Sequence, residues 1–173
     1  MKKTSFIFAC VLLAVFCFSS VSYSENKDYD LLCEYGYELY TNSHKTANNE
    51  TDFLNVTKTT KTFDETNICD KITEVGYLLL WSHDLISYFL ETYNEQSHSN
   101  TMIINRLTGI QKNIKTELDY INKMYGFIKV VSLLHILDKQ RNIIRLSLET
   151  LDKTIKLMKK MDKDMKKKTK KPL

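Results

Sequence analysis

Residues 103–125 read IINRLTGIQKNIKTELDYINKMY, in which Ile103, Leu107, Ile110, Ile114, Leu118, Ile121 and Tyr125 step by four, three, four, four, three and four. That is the period of one helix face, and it predicts a clean amphipathic helix. On its N-terminal side Ser97, Ser99 and Asn100 break the chain. Before them, residues 66–93 carry Ile68, Ile72, Val75, Leu79, Ile86 and Leu90 on one stripe, widened by Leu78, Trp81, Leu85 and Phe89. A helix apolar over so much of its circumference is expected to be surrounded by others, at the centre of the fold. Most aromatic residues fall on such stripes and read as core, Tyr77, Trp81 and Tyr88 among them.

On the C-terminal side come Gly126, a short apolar piece at 127–134, and a long run in which Leu137, Ile144, Leu148, Leu151, Ile155, Met158 and Met165 keep helical spacing. Near the N-terminus a first helix is expected over 29–40, from Leu32, Tyr35 or Gly36, Leu39 and Tyr40, with Asp28 and Asp30 favouring its dipole. The polar stretch 42–62 reads as a loop. A short segment at about 52–63, overlapping its end, is ambiguous between helix and strand, because threonine is a poor helix former. The expectation is an all-α domain of four substantial helices plus one or two short ones.

Composition agrees. The 173 residues contain only 4 glycines and 1 proline, Pro172, so the turn chemistry of an all-β fold is missing. Gly36, Gly76, Gly109 and Gly126 lie too far apart for a glycine-rich phosphate cradle, which removes the usual nucleotide enzymes.

Residues 1–24 read as a signal peptide: Lys2 and Lys3 open it, an apolar run follows, and Ser22-Tyr23-Ser24 offers small residues before a cut at Glu25. No later stretch is long and apolar enough to span a bilayer, so the expected product is secreted and soluble. Cys10 and Cys17 leave with the signal, and Cys33 and Cys69 remain. In an oxidising compartment one Cys33–Cys69 disulfide is the simplest expectation, with free or intermolecular thiols as the alternative. Asn49-Glu50-Thr51 and Asn55-Val56-Thr57 are N-glycosylation sequons in the expected loop.

Charge divides the mature chain into a body, 25–158, and a lysine-rich tail, 159–173, which holds eight lysines against two aspartates. Lys166, Lys167, Lys168, Lys170 and Lys171 read either as a solvated chain end or as a cationic arm for sulfated glycosaminoglycan, an acidic receptor surface or anionic lipid. Aromatics do not interleave with them, so base stacking is not indicated and no nucleic-acid partner is expected. His44, His83, His98 and His135 lack the spacing of a metal or nucleophile site, and no hydrolase motif is present. No enzyme, metal or cofactor is expected. Tyr37 and Tyr40, beside the first loop, read as interface anchors.

The run Leu39-Tyr40-Thr41-Asn42-Ser43-His44, continuing through Asn48, Asn49, Glu50 and Thr51 to Phe53-Leu54, resembles the end of the first helix and the receptor-contacting loop of the interferon gamma family of helical cytokines. Ser87-Tyr88-Phe89, Ile110-Gln111-Lys112 and Gln140-Arg141 follow in the order of that family's later helices. The resemblance implies a helical cytokine bundle, an intertwined homodimer of about six helices per chain, acting on cell-surface class II cytokine receptors in immune or antiviral signalling. It implies receptor contacts at Tyr37, Tyr40 and His44 and, on the last helix, Arg141 and Arg145, with heparan sulfate held by the lysine tail. An interleukin-ten-like cytokine and a secreted helical protein that sequesters a host factor without signalling are the alternatives.

Overall fold

The structure, a computed structural model, describes residues 27–60, 66–93 and 99–168. The segment expected to be a signal peptide and the extreme tail, Lys170 and Lys171 included, lie outside the described residues. Four helices make up the fold: α1 (Lys27–Thr60), α2 (Thr66–Thr92), α3 (Ser99–Tyr125) and α4 (Val131–Lys168). The chain is all-α over the described residues.

α1 continues straight through the expected loop. Its buried positions, Leu32, Gly36, Leu39, Asn42, Ser43, Thr46, Asn49 and Phe53, keep helical spacing throughout, and half of them are polar. The surface threonines do not break it, because their hydroxyls donate one turn back: Thr51 to the Ala47 carbonyl, Thr59 to Asn55 and Thr60 to Val56. The ambiguous segment 52–63 is therefore the end of α1 up to Thr60. The apolar piece 127–134 is divided between the α3–α4 connection and the first turn of α4. Four helices, not six, account for the described residues.

Cross-helix contacts give the topology. Gly36 lies against Ile86 and Gly76 against Thr46, so α1 and α2 are antiparallel. Asn42 meets Ser147, and Asn49 meets Gln140, so α1 and α4 are antiparallel as well. Lys71 pairs with Glu117 between α2 and α3, and Arg141 with Asn122 between α3 and α4. α2 and α4 run the same way on a diagonal. This is an up-down-up-down four-helix bundle, joined by the short segments 61–65, 93–98 and 126–130. The apolar face of α2 is covered by helices of its own chain, so it requires no intertwined partner.

Isoleucine and leucine dominate the core, with Leu39, Ile72, Leu79, Leu107, Ile114, Leu137, Ile144 and Leu151 fully buried. Each contributes roughly 1.5–3 kcal/mol through the water it no longer meets. Two glycines let α1 and α2 approach closely: a Cβ at Gly36 would sit 3.4 Å from Ile86 Cγ2, and one at Gly76 3.4 Å from Thr46 Cγ2. The α1–α4 seam is polar instead. There Asn42 Nδ2 donates to Ser147 Oγ (3.0 Å), and Gln140 Nε2 donates to Thr46 Oγ1 (3.1 Å). A one-turn slip of α1 along α4 would orphan these groups at about 1–3 kcal/mol each, which fixes the register.

That register corrects the disulfide expectation. Cys33 lies level with about residue 88 of α2, and from there to Cys69 is roughly 28 Å along the helix. A disulfide requires Cα atoms within about 7 Å. No bond joins the two: Cys33 is exposed and Cys69 is a buried thiol, pushed up to about 11 by desolvation and then by the charges of Glu50 and Asp70.

Candidate protein-binding face

Opposite the core stripe of α2, the positions Asp70, Glu74, Tyr77, Trp81, Asp84 and Tyr88 recur every three or four residues and all face solvent. Tyr77 is 70% exposed and Trp81 62%. The neighbouring strip of α1 presents Tyr37, 69% exposed, with Tyr40, His44 and Ala47. Leu80 lies between the two helices. Six large apolar or aromatic side chains thus share one face of the α1–α2 pair, a composition that protein interfaces favour.

Part of this face is held in place by ring contacts. The Tyr40 ring lies edge-on to His44, with centroids 4.5 Å apart, and tilts against His83 of α2 at 5.2 Å. His83 in its Nδ1–H form donates to the Gly36 carbonyl at 3.1 Å, so this bridge spans both helices. Two hollows open on the same surface. One, of about 360 Å³, is lined by Asp70, Thr73, Glu74, Tyr77, Leu78 and Trp81. The other, of about 220 Å³, lies between α1 and α2 and includes His44, Glu50, Gly76, Tyr77 and Leu80. Tyr77 is the wall between them.

The electrostatics of the bundle are two-sided. α1 and α2 together carry four basic residues against ten acidic ones. α3 and α4 carry fifteen against seven. The aromatic face belongs to the acidic half.

Of the residues expected to contact a receptor, Tyr37, Tyr40 and His44 come together here. Arg141 and Arg145 do not, because α3–α4 is the opposite side of the ring of helices. Arg141 is also engaged within the chain: its Nε donates to Asn122 Oδ1 (2.7 Å), Nη1 meets Asp138 Oδ1 (3.2 Å), and its guanidinium lies 4.5 Å over the Tyr125 ring. Tyr125 in turn donates to Asp138, a bond that holds its phenol above the usual range. Arg141 clamps the α3–α4 connection. Arg145 is exposed one turn further on.

The two sequons have different surroundings. Asn55 is exposed, whereas Asn49 is 8% exposed and its Nδ2 donates to Gln140 Oε1 at 3.0 Å inside the α1–α4 seam. A glycan on that nitrogen would displace the bond and part the helices. The lysine-rich segment is not a separate tail over its described length: α4 crosses residue 159 without a break, buries Met161 and ends at Lys168. Lys166 meets Asp162 at 2.6 Å, and Lys167 meets Asp164 at 3.7 Å.

Sequence reasoning missed Tyr77, Trp81 and Tyr88, assigning them to the core. The available signal was their angular position, about half a turn of the helix away from Ile72, Leu79 and Ile86. No described helix is long and apolar enough to cross a membrane. No protein-family model, curated protein or solved structure matches the chain.

Proposed function

We propose that this chain is an exported binding protein whose α1–α2 face docks a protein partner. The observation that carries the proposal is the row of exposed rings on two antiparallel helices, Tyr37, Tyr40, Tyr77, Trp81 and Tyr88. Aromatic side chains of this kind supply most of the energy of protein interfaces, at small entropic cost. The rigid bundle beneath them keeps the face preorganised. Export rests on the reading of residues 1–24, and the lysine-rich end of α4 offers sulfated glycan a separate point of attachment.

A photo-crosslinking residue placed at Tyr40 or Tyr88, with one at Thr116 on α3 as control, tests the docking face on cells exposed to the mature protein. Crosslinks to one partner from the α1–α2 positions alone are expected. Equal crosslinking from Thr116, or none from any position, overturns the assignment.

A second reading, an interferon-gamma-like or interleukin-ten-like cytokine, is favoured by the meeting of Tyr37, Tyr40 and His44 on one exposed strip. It predicts more than binding. The partner would be a class II cytokine receptor, engagement would switch on transcription, and signalling would require two copies of the chain or two receptor chains per complex. Binding without transcription would leave the sequestering protein.

A further inference from the structure

The hollow between Asp70, Glu74, Tyr77 and Trp81 combines ring surfaces open to solvent with exposed carboxylates beside them. All four residues lie on α2 at positions i, i+4, i+7 and i+11, so one helix fixes their mutual placement. Resting on the docking-face reading, we propose that this hollow seats a lysine or arginine side chain from a basic segment of the protein partner.

Charge and shape both favour that occupant. The α1–α2 half has a large acidic excess, and among the described residues no lysine or arginine lines either hollow. Lys71 already shows how a cation is received at the edge of this surface, with its Nζ 3.0 Å from Glu74 Oε2. A long basic side chain would lay its methylenes on the rings of Tyr77 and Trp81 and leave its charge beside Asp70 and Glu74. The second hollow, across Tyr77, has Glu50 at its margin and Leu80 in its lining, so it would accept the next side chain of the same segment. An anionic lipid surface or an acidic protein would be repelled by this face.

Trp81 is the only tryptophan of the chain, so its fluorescence reports occupancy directly. The mature protein would be titrated with a short lysine- and arginine-containing peptide, and with the same peptide carrying glutamine at those positions. The expected result is a saturable change with the basic peptide alone, weakened about tenfold between low and high salt as the charges are screened. Asp70→Asn/Glu74→Gln should weaken it about fivefold or more while leaving Trp81 and the helical circular dichroism in place. Asp70→Asn alone, which spares the Lys71–Glu74 contact, should show part of the same loss.

An equal response to the glutamine peptide, or no effect of the carboxylate variants, overturns the proposal. So does salt-sensitive self-association abolished by the same variants, which would give the hollow to a second copy. Crosslinks from Tyr40 that persist in Asp70→Asn/Glu74→Gln would keep the docking face and remove only its cationic occupant. Loss of the crosslinks from unaltered protein would remove both.

Discussion

Asn49 and Gln140 face each other across the α1–α4 seam, with the Asn49 Nδ2 donating to the Gln140 Oε1 at 3.0 Å and both side chains buried. The same Gln140 donates its other group to Thr46, so one glutamine satisfies two turns of α1. Burial makes these bonds demanding, since losing either partner leaves a polar group without water. Asn49→Ala should lower stability by about 1–3 kcal/mol in urea unfolding, whereas Thr51→Ala, which removes the same sequon from the surface, should cost under about 0.5 kcal/mol.

That bond also decides which sequon the folded protein tolerates. In chain secreted from a glycosylating cell, peptide mapping after deglycosylation should find Asn55 occupied and Asn49 bare. A glycan at Asn49 in correctly folded, soluble chain would contradict the seam as described.

Cysteine reactivity gives an independent check on register. Cys69, buried and raised to about 11, should resist alkylation in native protein at neutral pH and react once the chain is unfolded. Mass mapping without reductant should find no Cys33–Cys69 crosslink. Such a crosslink would demand a shift of α1 along α2 by some five helical turns, which the packing at Gly36 and Gly76 forbids.

How much of this was legible depended on what each buried position was made of. In α3 the inward positions from Ile103 to Ile121 are apolar except for Glu117, and hydropathy alone located the helix. In α1 the inward positions between Leu39 and Phe53 are Asn42, Ser43, Thr46 and Asn49; Ser43 donates one turn back to the Tyr40 carbonyl, and the partners of the other three, Gln140 and Ser147, lie about a hundred residues away. No local pattern reveals a hydrogen bond to a distant helix, so a buried polar stripe read as a loop. The candidate face was half legible. Tyr37, Tyr40 and His44 were singled out, but Tyr77 and Trp81 were assigned inward because a large apolar residue on an apolar helix is ordinarily core.

Lys71 and Glu117 supply a test of the α2–α3 contact. Glu117 is nearly buried and lies 3.1 Å from Lys71 Nζ, an ion pair whose direction falls short of a good hydrogen bond. Lys71 is held above its usual value by Glu74 first and Glu117 second. A lysine raised in the folded state stabilises while it is charged, so its contribution is complete below about pH 10.5 and is lost as pH rises through the folded value. Lys71→Met should destabilise by about 1–3 kcal/mol, because it strands the Glu117 carboxylate, and adding Glu117→Leu should recover most of that loss. The double variant should also show a smaller alkaline fall in stability than the parent, the remainder coming from groups such as Cys69 and Tyr125 that are likewise raised in the folded state. A cost of Lys71→Met undiminished by the second change would assign the effect to Glu74 instead.

The lysine-rich end offers the last test, because the described structure divides it into a helical part and a remainder. Truncation after Lys168 removes Lys170 and Lys171, whereas Lys159→Gln/Lys163→Gln removes two charges from the solvent face of α4 and leaves the chain length unchanged. The charge lost is equal, so any difference between the variants reports position. Lys159 and Lys163 lie one turn apart on α4, which holds them at a fixed spacing that suits a repeating polyanion. On a heparin column the glutamine variant should therefore elute at clearly lower salt than the truncated chain, and both should elute before the parent. Coincident elution of the truncated and parent chains would confine the contact to α4. A truncated chain that elutes first would place it in the last five residues.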